Sequence, residues 1–219
     1  MRKKRLLLLL IGIMILLASC SGGTEQAETK RTSEINERTV EPVQAACDAL
    51  FFGDSITCDG NFDELFPTLR IVNLGVYGDT LEDLLRRVPE VREQHPKKIF
   101  LLGGINSLGP DNVEDCLTAY AELLDALRAA CPKAELIVQS VLPIGSEVDW
   151  NGEINEAVRR FNEGLKKLAE QKGISFVDLY AVYEKNGCLD PALTRDGVHL
   201  NYNAYGPWAE TVAPYMPSN

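Results

Sequence analysis

The sequence predicts a doubly wound α/β domain, and three observations carry that prediction. Short, mostly apolar runs recur at Ala49–Phe52, Ile71–Leu74, Ile99–Leu102, Leu136–Leu142 and Ile174–Leu179. Runs that are mostly apolar rather than strictly alternating, as Ala49–Phe52 and Ile99–Leu102 are throughout, are the pattern of strands covered on both faces, as in a parallel sheet. Between them lie apolar stripes at helical spacing, and strand and helix in alternation imply βαβ units. The chain is also long enough, at 219 residues with 45% hydrophobic and 25% charged, to bury a core without disulfides or metal. That length allows one domain, or at most two small ones.

The first residues stand apart from the domain. Arg2, Lys3, Lys4 and Arg5 precede an apolar run of 13 residues, Leu6–Ala18, which is the length of a signal-peptide core and short for a bilayer span. The run ends in Leu17-Ala18-Ser19-Cys20, which looks like a bacterial lipobox with Cys20 as the lipidated residue of the mature protein. Residues 1–19 are therefore expected to be a lipoprotein leader and 20–46 a flexible tether rich in Ser, Gly, Thr and Glu. A plain secretory signal with an incidental Cys20 is the alternative. The leader implies an extracytoplasmic protein of the bacterial envelope, held to a membrane through its lipid anchor only.

The folded domain is expected over 47–219, and no internal repeat interrupts it. Leu81, Leu84, Leu85, Val88 and Val91 form the first helical face, which Pro89 is expected to end or kink. Val113, Leu117, Tyr120, Leu124 and Leu127 form the second, and Ile154, Val158, Phe161, Leu165 and Leu168 the third. Gly173 follows where a helix-ending glycine would sit. The formal net charge is −10, and removing the leader takes away four more cations. Such a chain has no basic footprint for nucleic acid.

In open α/β sheets, ligands bind beyond the carboxyl ends of the strands. The segments there are Gly53-Asp54-Ser55-Ile56-Thr57, Gly75-Val76-Tyr77-Gly78-Asp79, Gly103-Gly104-Ile105-Asn106 and Pro143-Ile144-Gly145. Ser55 follows a strand and a glycine, so its hydroxyl would stand at the strand's end. The chain has two histidines. His95 sits in a charged connector expected to face solvent at the wrong edge of the sheet. His199 lies three residues after Asp196, so one turn could supply a base and the carboxylate that orients it. Gly75 offers a backbone N–H and Asn106 a side-chain amide for an oxyanion. Taken singly, each has a plainer reading as a cap, a turn or a packed residue.

Together these residues resemble the SGNH (GDSL-type) hydrolases. Gly53-Asp54-Ser55-Ile56-Thr57 is similar to that family's first block and Asn73-Leu74-Gly75 to its second. Gly104-Ile105-Asn106 resembles the third and Asp196-Gly197-Val198-His199 the last. The resemblance implies a three-layer α/β/α sandwich on a five-strand parallel sheet, flavodoxin-like in its winding. It implies Ser55, Asp196 and His199 as catalytic residues, and Ser55, Gly75 and Asn106 as the oxyanion hole. No cofactor and no metal are expected. Ser107 departs from the family, where aspartate often follows the block-three asparagine.

Besides Cys20, the chain has Cys47, Cys58, Cys116, Cys131 and Cys188, an odd set without C-x-x-C spacing. Free thiols are expected, with a Cys58–Cys188 bridge as the alternative. Trp150 and Phe62 are candidate rim residues for a sugar ring or acyl chain; packing against the domain is the other reading. Tyr202, Tyr205 and Trp208 are expected to staple the last helix to the core. The expected substrate is a small-molecule or glycan ester carrying a short acyl group such as acetyl. The alternatives are a lysophospholipase or thioesterase acting on longer chains, and a catalytically silent glycan-binding lipoprotein.

Overall fold

The computed structural model describes residues 46–218. The leader, Cys20 and nearly all of the expected tether lie outside the described residues.

The elements follow in chain order. Strand β1 (Ala49–Gly53) runs into the single turn α1 (Ser55–Cys58), and a second short helix, α2 (Phe62–Leu65), precedes β2 (Ile71–Gly75). Then come α3 (Leu81–Glu93), β3 (Lys98–Leu102), α4 (Val113–Ala130), β4 (Glu135–Gln139), α5 (Glu153–Lys172) and β5 (Ser175–Val177). The chain closes with α6 (Tyr180–Tyr183), a small hairpin of β6 (Glu184–Lys185) and β7 (Cys188–Leu189), and α7 (Tyr205–Val212). The first five strands form one sheet in the order β2-β1-β3-β4-β5, parallel at every pairing. That is the winding expected, and its switch point falls between β1 and β3.

Alternation along each strand sends side chains to opposite faces, and the two faces make two cores. Leu50, Phe52, Ile99, Leu101 and Val138 pack with α3, α4 and α5. Ala49, Phe51, Phe100, Leu102 and Ile137 pack with Ile56, Phe62, Tyr183, Tyr205 and Trp208. The two edge strands, β2 and β5, are only partly covered, and Asn73 of β2 is exposed.

Four expectations are corrected here. Pro89 does not end its helix: α3 runs through it to Glu93, because Leu84, Val88 and Val91 on the same stripe are buried against the sheet. Their burial outweighs the lost hydrogen bond and ring clash, which cost about 3 kcal/mol. The fourth strand stops at Gln139 rather than Leu142 because the side chain of Asn162 takes over the backbone of Val141, accepting its N–H and donating to its carbonyl, both at 2.8 Å. Phe62 is not on a rim. It is fully buried, with its ring stacked 3.7 Å from that of Phe51 and edge-on to Tyr205 and Trp208. Among the staple residues, Tyr205 and Trp208 are buried, whereas Tyr202 precedes α7 and stands 59% exposed, its hydroxyl bonded to Glu64.

The helix-ending role read for Gly173 holds: its φ is +63°, and its N–H returns to the carbonyls of Ala169 and Glu170. His95 is exposed on the connector before β3, at the amino-terminal edge of the sheet. Cys47, Cys58, Cys116, Cys131 and Cys188 are all free thiols, so there is no Cys58–Cys188 bridge.

Candidate active site

The site is built where β1 ends. Asp54 caps α1, its Oδ1 accepting the Ile56 N–H at 3.0 Å, so the turn carries Ser55 at its first position. The first N–H groups of a helix have no intrahelical acceptor. The Ser55 N–H therefore points out of the turn on the same residue as the hydroxyl.

The turn after Thr194 brings the base to this serine. Asp196 Oδ1 accepts the backbone N–H groups of Val198 (3.0 Å) and His199 (2.7 Å), which folds the four residues back on themselves. The Thr194 hydroxyl donates to the His199 carbonyl at 2.7 Å and accepts the Gly197 N–H at 2.9 Å, closing the loop from the other side. With the backbone fixed, Asp196 Oδ2 lies 2.8 Å from His199 Nδ1, and His199 Nε2 lies 3.0 Å from Ser55 Oγ. Ser55, His199 and Asp196 thus form one hydrogen-bonded line, with Ser55 and His199 144 positions apart in sequence. Partial burial opposes charge on Asp196, but the His199 N–H, its ring and the Val198 N–H outweigh it and hold the carboxyl down at about 2. It is an anion throughout the neutral range, which orients the imidazole with Nδ1 protonated and Nε2 free to accept.

The expected oxyanion donors divide. One Asn106 amide N–H donates to the Asp79 carbonyl at 3.0 Å, which fixes the amide and leaves its second N–H. The Gly75 N–H is not available: it donates to Asn73 Oδ1 at 2.9 Å. The reason is structural. Asn73 laces β2 to α1, its amide also donating to the carbonyls of Thr57 (2.8 Å) and Gly60 (3.1 Å), and Gly75 is the residue where the two backbones touch. Three residues on, the Gly78 N–H has no acceptor among the described residues. Gly78 takes φ +79° and directly precedes Asp79, whose carbonyl holds Asn106. Ser107, the departure from the family pattern, accepts the Leu81 N–H at 2.9 Å and so ties this loop to the start of α3.

Two supporting residues were not singled out from the sequence. Asp79 is buried and paired with Arg87 at 2.5 Å, and Arg87 also donates to the Leu74 carbonyl at 3.1 Å, fixing the loop after β2. Asp54 is fully buried, and its Oδ2 has no partner among the described residues. Burial drives its carboxyl up to about 7; the Ile56 N–H and His199 act the other way, and Asp79 adds to the rise. Because the folded state holds this proton more tightly than the unfolded chain, its contribution to stability is full below about pH 4 and is lost as pH rises towards 7. Across that window the loss is about 4 kcal/mol. The Asp54→Asn variant keeps the capping oxygen and removes the titration. Its melting temperature relative to wild type should therefore rise between pH 4 and pH 8; a constant difference would show that Asp54 does not titrate there.

Trp150 lies in the loop after β4 and is 84% exposed. That loop is pinned by Asn155, which accepts the Ile144 N–H and donates to its carbonyl at 2.8 Å each. It meets the catalytic turn where the Gly145 N–H donates to the Gly197 carbonyl at 2.7 Å.

Comparison with known proteins bears on the family and the fold. The model of a family described as GDSL-like Lipase/Acylhydrolase matches residues 51–206. Platelet-activating factor acetylhydrolase IB subunit alpha1 of Bos taurus is 26% identical over 171 residues, 73% of this chain and 71% of that protein. A multidomain esterase of Ruminococcus flavefaciens is 24% identical over 136 residues, 59% of this chain but only 17% of that much longer protein. Among solved structures, an acetylxylan esterase from Geobacillus stearothermophilus superposes with a TM-score of 0.60 at 21% identity, covering 80% of this chain and 100% of that one.

Proposed function

The chain belongs to the GDSL-like lipase/acylhydrolase family of hydrolases, and from that premise we propose that it is a serine carboxylester hydrolase removing short acyl groups, acetyl above all, from carbohydrate or a related small molecule. The observation that carries the reading is the line Ser55 Oγ, His199 Nε2, His199 Nδ1, Asp196 Oδ2, with contacts of 3.0 and 2.8 Å. A silent binding protein has no need of a base aligned on a buried serine.

The steps follow from those contacts. Ser55 Oγ attacks the acyl carbon as its proton passes to His199 Nε2, and the imidazolium is balanced by Asp196. The carbonyl oxygen becomes an oxyanion that takes hydrogen bonds from the Ser55 N–H, the free Asn106 N–H and the Gly78 N–H, which replaces Gly75 in this role. Collapse breaks the ester C–O bond, and His199 returns its proton to the departing alcohol. Water then attacks the acyl-enzyme with His199 again as base, releasing the acid and Ser55. None of these steps calls on a cofactor.

The acetyl preference is supported by the names of relatives, an acetylhydrolase and an acetylxylan esterase. Hydrolysis of p-nitrophenyl esters from acetyl to decanoyl tests it. Turnover should be highest on the acetyl ester and fall steeply with chain length. A maximum at long chains would move the reading to lysophospholipids or thioesters, and no turnover of any ester would overturn it.

We further propose that the protein works outside the cytoplasm on a lipid anchor at Cys20, on the strength of the cationic segment, apolar run and lipobox-like ending of residues 1–20. Expressed in a bacterial host, the full chain should partition with membranes, and the Cys20→Ala variant should not.

A further inference from the structure

The large apolar side chains that the fold leaves exposed are not scattered. Among the described residues they are Val76, Tyr77, Val148, Trp150 and Tyr202. Four stand on loops at the carboxyl ends of the strands, and Tyr202 starts a short 3-10 turn beside the catalytic turn. Val76 and Tyr77 follow β2, Val148 and Trp150 follow β4, and Tyr202 is three residues beyond His199. Exposed apolar surface gathered in one place is a mark of ligand contact.

Tyr77 is the member that the structure holds still. Its ring is 57% exposed, and its centroid lies 6.0 Å from that of the His199 imidazole at an interplanar angle of 37°. Its hydroxyl donates to Asp59 Oδ1. The other oxygen of that carboxylate accepts from Arg195 at 2.6 Å, and Arg195 in turn donates its backbone N–H to the His199 carbonyl at 3.1 Å. Asp59 ends the turn that carries Ser55, so this clasp joins the nucleophile's turn, the loop after β2 and the base's turn. A tyrosine that only needed solvation would not be tied at its tip to the two elements that carry the reacting groups. The tie leaves the ring face free and its orientation set, which is what stacking demands: apolar area offered at little entropic cost.

We propose that Tyr77 is a specificity-determining residue, a platform beside the imidazole on which the alcohol portion of the ester, a pyranose or furanose ring, stacks while its acyl group reaches Ser55. This rests on the esterase reading above and deepens it by naming the alcohol side as carbohydrate. The C–H face of a sugar ring matches an aromatic face, while its hydroxyls stay hydrated at an open rim. A p-nitrophenyl ester with a flat, activated leaving group depends on such a platform far less.

The test uses the full chain and two substrates, acetylated xylo-oligosaccharide and p-nitrophenyl acetate, with the Tyr77→Ala and Tyr77→Phe variants. Tyr77→Ala should raise KM for the oligosaccharide about tenfold with kcat changed less than twofold, and leave KM for p-nitrophenyl acetate within about twofold. Tyr77→Phe keeps the face but loses the tie to Asp59 that sets its orientation, and should give an oligosaccharide KM between those of wild type and Tyr77→Ala. If Tyr77→Ala lowers kcat equally on both substrates, Tyr77 only supports the catalytic turn and the proposal is overturned. The same holds if neither substrate is affected, or if wild type hydrolyses p-nitrophenyl acetate but no acetylated sugar. Failure of wild type on both substrates would instead count against the esterase reading itself.

Discussion

Replacing Ser55 by alanine should abolish ester hydrolysis, lowering kcat on p-nitrophenyl acetate by roughly four to six orders of magnitude. The serine oxygen ends the line and is the atom that bonds to the acyl carbon in the proposed steps; His199 and Asp196 act through it. The loss should be chemical, not structural. Ser55 is buried, but its side chain hydrogen-bonds to His199 alone among the described side chains, so alanine leaves no unpaired group in the core. Unchanged thermal melting together with lost turnover is the expected pair of results. His199→Ala should fall to a similar level, and the double variant no further, since groups that act as one unit are not additive. A Ser55→Ala enzyme retaining a tenth of wild-type activity would assign the nucleophile elsewhere.

Gly75→Ala should destabilise the domain by about 3 kcal/mol, seen as a melting temperature about 9 °C lower. A Cβ at this position would run into the backbone N and Cα of Cys58 and the carbonyl carbon of Thr57. Backbone cannot rotate aside as a side chain can, so either β2 or the serine turn must move. Gly78→Ala is the contrast. Its φ of +79° is unfavourable for alanine, but a Cβ there meets nothing within 4 Å, so the cost should be only about 1 kcal/mol. Equal melting temperatures for the two variants would refute the close-approach account of Gly75. Because the N–H survives in Gly78→Ala, that variant should also keep most of its activity.

The pair shows where reading the chain stops. Gly75 and Gly78 occupy one post-strand segment, and composition cannot say which has a free N–H. Asn73, whose side-chain oxygen takes the Gly75 N–H, has its amide nitrogen held by the carbonyls of Thr57 and Gly60, which only the fold brings beside β2. Phe62 is the same case. An aromatic in a polar loop, Asp59-Gly60-Asn61, reads equally as rim or core, and only the arrival of Tyr205 and Trp208 from 140 or more positions away encloses it. Nothing local in the sequence marks Tyr77 as lying beside His199.

Periodicity and residue type by themselves determined the sheet, the three long helices and the end at which chemistry would be sought. Apolar runs at strand length and stripes at helical spacing report burial directly, and burial drives the fold. They also drew attention to Ser55, Asp196 and His199, since few residue types can serve as nucleophile, base and orienting acid, and post-strand position narrowed them further. Tertiary structure alone decided which N–H groups are free among the described residues, which aromatics are covered, that Pro89 is tolerated, and that Asp54 is buried with one oxygen unpaired among those residues. Each depends on what distant segments bring within a few ångströms, and hydrogen bonds and close packing are set at that range.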